Sequence, residues 1–297
     1  MKKKIVSLCL CAALLAVAVI GGTLAYFTDV TDEVNNTFTM GNVDITLDEA
    51  KVNDAGKVID PTDRVQENIY KKKMVPGYVF DKDPTIHVST DSEESYLFLD
   101  VAFNKYNSLC WVMAADASED KTIDFDMFTR GEDGKITGLQ EAFKNNDGVF
   151  SSTAFMTAMS KNKEVFHQII AKWITGIKHE DWQVMENPFT SSDDAHTTLV
   201  FRLGYIGNAG TDVAGENFPF MTNFQMPASV TEEIICMGAG RGIEGRADYV
   251  PNIGKMQNNF SGTLNLDFLA YAIQAEGFDT IEAAYASGAV PFKTYTK

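Results

Sequence analysis

Tyr96-Leu97-Phe98-Leu99-Asp100-Val101-Ala102-Phe103 is the stretch that decides the fold. In an extended chain Leu97, Leu99 and Val101 project to one side and Tyr96 and Phe98 to the other, so the run is apolar on both faces. A strand of that kind belongs in the middle of a layered structure. Around it lie segments with one wet face. Val43, Ile45 and Leu47 alternate with Asp44, Thr46 and Asp48, and Leu199, Phe201, Leu203 and Tyr205 share one side of the stretch from Thr197 to Tyr205. Thr85 to Ser89, Val230 to Met237 and Gly262 to Ile273 read as further strands, the last with Leu264, Leu266 and Phe268 on one side. Asp54-Ala55-Gly56 and Pro76-Gly77 read as turns. Phe38 and Met40 are out of phase with Val43, and Gly41 between them predicts a bulge. Many strands separated by turn signals predict a mainly β chain, an antiparallel, jelly-roll-like β-sandwich.

The middle of the chain has another texture. Phe166, Ile169, Ile170, Trp173, Ile174 and Ile177 recur at spacings of three and four, which predicts one amphipathic helix. Phe155, Met156 and Met159 predict a shorter helix before it. The segment from about 105 to 195 thus reads as a partly helical insertion in a single sandwich domain spanning 26–297. Asp279 to Ala286 reads as a terminal helix with Gly288 near its end.

The 297 residues carry 25 Lys+Arg against 41 Asp+Glu, a net charge of −16. Such a chain repels nucleic acid and anionic membranes, so neither is an expected partner. A hydrophobic content of 45% is ample for a packed core and argues against disorder.

The chain opens on Lys2, Lys3 and Lys4, an apolar run from Ile5 to Ile20, and Gly21-Gly22-Thr23-Leu24-Ala25. A basic start, an apolar stretch and small exit residues make an export signal spanning 1–25, cut between Ala25 and Tyr26. The alternative, a retained anchor, would need a span of roughly 20 residues, and this run is short for it. The expected mature protein is secreted, sits in an extracellular or cell-surface matrix, and has no membrane segment after cleavage. Its C-terminus, Pro291 to Lys297, shows neither a wall-sorting signal nor a membrane tail. Cys9 and Cys11 leave with the signal. Cys110 and Cys236 remain, either as one disulfide or as two small buried hydrophobes.

Gly21, Gly22, Thr23 and Ala25, then Phe27 and Asp29, then Phe38, Gly41, Val43, Asp44, Ile45 and Leu47 form a combined pattern. Val75-Pro76-Gly77-Tyr78 followed by Thr85-Ile86-His87-Val88 extends it. The first 100 or so residues resemble the TasA/camelysin family of exported proteins of Gram-positive bacteria, whose signal is processed by the peptidase SipW. The resemblance implies the same sandwich fold and assembly into extracellular fibres. It also implies donor-strand exchange, in which the freed N-terminus of one subunit adds a strand to the sheet of the next. The donor here would be Tyr26 to about Thr39, with Tyr26, Phe27, Val30, Val34 and Phe38 as anchors; apart from the resemblance, the same segment reads as an ordinary first strand or a frayed terminus. Asp29, Asp32 and Glu33 would keep it soluble before assembly. The expected partners are the chain itself as a homopolymer, related matrix subunits, and SipW.

Some camelysin relatives are described as metallopeptidases, which sets the alternative: a surface metallopeptidase. His87, His167, His179 and His196 are scattered, with no His-Glu-x-x-His pair to place two imidazoles on one helix face. His179-Glu180-Asp181 is the one cluster of ligand types, and adjacent helical residues point apart. Neither a Gly-x-Ser-x-Gly elbow nor a phosphate-cradling glycine loop is read, and Cys110 beside Trp111 has no marked partner histidine. No catalytic residue and no metal ligand is therefore assigned. No cofactor is expected, calcium being the one ion for which acidic loops offer ligands. Asp133-Gly134-Lys135-Ile136-Thr137 mimics the middle of an EF-hand loop, but Thr129, Gly131 and Gln140 would stand at ligand positions, so it reads as a turn. Asp81 with Asp83 and Glu119 with Asp120 read as solvated loops. A third reading is a monomeric adhesin that uses the helical insertion as its recognition surface.

Overall fold

The computed structural model describes residues 28–30, 43–193, 196–207, 211–238 and 263–295. Along the chain come β1 (Thr28–Val30), β2 (Ile45–Ala50), β3 (Arg64–Val65), β4 (Val79–Asp81), β5 (Thr85–Val88) and β6 (Ser95–Asn104). Then follow α1 (Tyr106–Glu119), the hairpin β7 (Phe128–Arg130) and β8 (Ile136–Leu139), α2 (Ser152–Lys161) and α3 (Lys163–Ala171). Next are β9 (Ile174–Thr175), β10 (Trp182–Val184), β11 (Phe189–Asp193), β12 (His196–Tyr205), β13 (Asn217–Pro219) and β14 (Asn223–Gln225). The chain closes with α4 (Glu232–Gly238), β15 (Leu266–Gln274) and α5 (Ile281–Ala286).

The protein is a mainly β, antiparallel sandwich. The large sheet runs β1-β15-β6-β12-β10, with β11 also on β12; a second sheet runs β13-β5-β2-β3. As the alternation predicted, β6 is the buried centre. Leu97, Leu99 and Val101 pack with Val43, Ile45, Ile86 and Val88 of the second sheet. Tyr96 and Phe98 face the opposite way, onto Tyr271, Ile273 and the α5 residues Ile281 and Ala284. The large sheet is therefore covered on both faces, by a sheet on one and by the C-terminal helix and tail on the other. Thr280 caps α5 by accepting the Ala283 N–H at 3.1 Å.

The helices between β6 and β12 form a lobe with its own core around Trp111, Phe155, Ile169 and Trp173. The structure differs from two local expectations and adds one helix that the sequence did not signal. The helix expected through Ile177 ends at Ala171, and Ile174 lies in β9. Gly176 follows at φ +86°, a left-handed turn that brings its Cα against Thr222. The strand expected over Val230 to Met237 is instead the helix α4, where Thr231 Oγ1 accepts the Ile234 N–H at 3.3 Å. Ile234 and Met237 of that helix pack into the lobe core, and the Ile234 carbonyl accepts the Trp111 indole N–H at 2.9 Å. A tertiary partner overrode a short apolar run that fits either period. Finally, α1 was not read from the sequence. Ten of its residues are buried, including Trp111, Val112, Ala114 and Ala115, so it has no polar face to give a helical period. The bulge expected at Gly41 lies outside the described residues.

Candidate functional site: the flank of the C-terminal strand

β15 pairs with β6 from Leu266↔Phe103 to Gln274↔Ser95. On its other flank it carries β1, antiparallel, with Thr28↔Ile273, Asp29↔Ala272 and Val30↔Tyr271. Ala270 to Ile273 are essentially fully buried. Among the described residues β1 is thus the edge strand, laid on the most buried part of β15. Thr28 and Val30 are β-branched and favour the extended chain. Three residues are at the short limit for a strand, so β1 owes its conformation to the sheet that receives it.

Beneath this flank lies a charged network. Asp100 accepts Arg202 Nε and Nη2, each at 2.8 Å, and the Tyr271 hydroxyl at 3.0 Å. Arg202 Nη1 also reaches Glu186 Oε1 at 3.2 Å. Phe292 lies over the guanidinium with its ring centre 3.9 Å from Cζ, and the Lys293 N–H donates to Tyr271 Oη at 3.1 Å. Burial, reinforced by the Asp100 charge, pushes the Tyr271 phenol up. Burial opposes the charge on Arg202, but the hydrogen bond and charge of Asp100 prevail and raise its pKa. The network ties β15, β6, β12 and the C-terminal tail together beside the strand that carries β1. The sequence signal for it was an aspartate inside the apolar run of β6, since a buried charge requires a partner.

The expected site residues separate as follows. Ala25, Tyr26, Phe27, Val34, Phe38 and Gly41 lie outside the described residues. Val30 is in β1, opposite Tyr271. Val43 and Ile45 are buried and Leu47 half-buried in the sandwich core, while Asp44 is exposed, its N–H donating to Ser92 Oγ at 3.1 Å. This part of the motif therefore builds β2 and the core. Cys110 and Cys236 are free, buried thiols of the lobe, and burial pushes Cys110 up to about 12. Asp133 to Lys135 form the turn between β7 and β8, where Asp133 Oδ1 accepts the Lys135 N–H at 3.1 Å.

The described residues do not fit a metal centre: no three of His, Cys, Asp and Glu converge among them. His87 meets one carboxylate, that of Asp48, and a second, Asp83, is reached through Arg64. His87 Nε2 lies 2.8 Å from Asp48 Oδ1, but the guanidinium of Arg64 binds Asp48 and reaches Asp83 Oδ2 at 3.0 Å. A fixed cation already occupies the place between the carboxylates. His167 and His179 stack with ring centres 4.3 Å apart, parallel within 12°, and no carboxylate completes a ligand set with them. Among the described residues no helix is long and apolar enough to cross a membrane.

The fold and site define a mainly β sandwich protein in which, among the described residues, the first strand lies at a sheet edge on the last one. The family model described as camelysin metallo-endopeptidase matches residues 1–73, about a quarter of the chain, where the TasA/camelysin resemblance was read. The matched part holds β1, β2 and β3; the helical lobe, β6, β12 and β15 lie beyond it. Neither the curated proteins nor the solved structures contain a match to this chain.

Proposed function

We propose that the chain is an exported, TasA-like structural subunit of an extracellular matrix fibre. SipW cuts it between Ala25 and Tyr26, and subunits join by donor-strand exchange. The observation that carries this reading is the antiparallel seat of β1 on β15. The segment just behind the expected cut is a three-residue edge strand whose main-chain bonds any copy of the same segment can make. In the fibre, the strand beside β15 comes from the neighbouring subunit. Each subunit gives one strand and receives one, and such head-to-tail contacts propagate without closing. Cleavage controls assembly because the uncut donor is tethered through residues 1–25. The function needs no cofactor, and its partners are further copies of the chain or related matrix subunits.

Electron microscopy of the purified chain beginning at Tyr26 tests the reading. Ordered filaments are expected, and a short extension ahead of Tyr26 abolishes them. Persistent monomers at high concentration would remove the proposal. The second reading, a camelysin-like surface metallopeptidase, is favoured by the description of the matched family model. It predicts casein cleavage that a chelator stops and stoichiometric metal restores.

A further inference from the structure

A groove of about 300 Å³ opens between α2 and the strand β11, on the face where the helical lobe meets the large sheet. Met156 and Leu199, both buried, form its floor. One wall is a face of α2 carrying Thr153, Thr157 and Ser160, three and four residues apart and all exposed. The other wall runs from Asn187 to Thr190.

The chemistry of the lining is selective. In a chain that is 22% charged, no Asp, Glu, Lys, Arg or His lines this groove. No lining side chain offers an ionic ligand a counter-charge, and the Arg202 guanidinium against Phe189, 5.8 Å from the ring centre, is already paired with Asp100 and Glu186, so burying a charge here is costly. The hydroxyls are also arranged in one sense. Thr157 Oγ1 donates to the Thr153 carbonyl at 2.9 Å, and Ser160 Oγ donates to the Thr157 carbonyl at 2.8 Å. Each spends its only proton on the helix and keeps lone pairs for an incoming donor. Asn187 supplies an amide that both donates and accepts. Phe189, half-buried on the same wall, meets Tyr295 edge-on with ring centres 5.6 Å apart and adds an aromatic ring to the lining. A ligand that fits has many hydroxyl donors along one edge, C–H groups on a face, and no charge. The volume is at the lower end of small-molecule sites, of the order of 300 to 1,000 Å³, and suits a sugar unit rather than a large cofactor.

We propose that the groove between α2 and β11 binds a neutral carbohydrate, with a pyranose ring against Phe189 and its hydroxyls on Thr157 and Asn187. The site lies on different elements from the β1 seat, and it stands whether or not the chain forms fibres.

The test is an NMR titration of the purified chain with maltohexaose and chitotetraose as neutral probes and tetragalacturonic acid as the charged comparison. Saturable shifts at Thr157 and Thr190 are expected with at least one neutral probe. Thr157→Glu, an exposed helical change that puts a charge into the groove, is expected to weaken that binding about tenfold or more, roughly 1.4 kcal/mol. Thr190→Glu on the opposite wall is expected to act alike. No saturable shift with either neutral probe at millimolar concentration overturns the proposal. So does unchanged binding in both variants with native spectra, or equal binding of the galacturonate at the same residues.

Discussion

Arg202 and Asp100 face each other across the β6–β12 pair, with both guanidinium bonds at 2.8 Å and the Asp100 side chain fully buried. Such a pair stabilises little against apolar replacements, but removing one partner strands a buried charge. Arg202→Met is therefore expected to lower unfolding stability by about 3–5 kcal/mol. Asp100→Leu combined with Arg202→Met should recover part of that loss, the remainder being the Tyr271 hydroxyl left without its acceptor. Urea unfolding of the single and double variants measures both. A single change costing less than about 1 kcal/mol would mean the carboxylate finds water or another partner.

Lys172 joins the end of α3 to the end of α1. Its Nζ lies 2.6 Å from Asp116 Oδ2 and 2.8 Å from Asp120 Oδ2. Asp116 is buried, whereas Asp120 is half-exposed. Lys172→Met should cost about 3 kcal/mol through the stranded Asp116, and Asp120→Asn only about 1 kcal/mol. The Lys172 hydrogen bond, aided by Thr122, holds the Asp120 carboxyl well below the usual range. With the folded value depressed, its stabilisation is complete above the unfolded value of about 4 and is lost as pH falls through the folded value. Asp120→Asn should therefore flatten the loss of stability below pH ~4 seen by thermal unfolding. An unchanged acid limb would assign that limb to other carboxylates.

How far these features were legible depended on where the information lay. The sandwich was legible because Leu97, Leu99 and Val101 against Tyr96 and Phe98 are a local period that maps directly onto two faces. The helix α1 was not, because burial all round erases the period, and α4 was misread because Ile234-Ile235-Cys236-Met237 suits either element until Trp111 is in place. The partners of Asp100 were hidden too. Arg202 and Tyr271 are 102 and 171 residues away, and only strand order brings them together. The seat of β1 on β15 was not legible. The resemblance implied strand donation, but which strand receives β1 is a fact of the large sheet's order.

The stacked His167 and His179 rings predict a second pH response. Burial and the neighbouring His167 lower the pKa of His179, while Glu180 opposes the shift. A histidine whose folded value is lowered favours the fold while neutral. Its contribution is complete above the unfolded value of about 6.5 and is lost as pH falls through the folded value. His179→Phe should therefore leave the chain equally stable at pH 8 and relatively more stable near pH 5. NMR titration of His179 should give a midpoint below about 6.5. A midpoint above it would show that Glu180, and not burial, dominates.

The register of β1 allows the exchange of strands to be read chemically. Asp29 stands opposite Ala272. Asp29→Cys with Ala272→Cys puts cysteines at directly opposite positions of paired strands, the pairing a disulfide needs, while Cys110 and Cys236 are buried, the Cys110 thiol pushed up to about 12. In a monomer whose β1 lies on its own β15, oxidation closes a loop within one chain and leaves a monomer band on a non-reducing gel. In a fibre built by exchange, the same two positions belong to neighbouring subunits, and oxidation gives a ladder of covalent oligomers. Oxidation before assembly should lock the donor at home and prevent filaments, and reduction should restore them. A preparation that forms filaments yet gives only monomer bands after oxidation would mean that another surface joins the subunits and that β1 never leaves its own sheet.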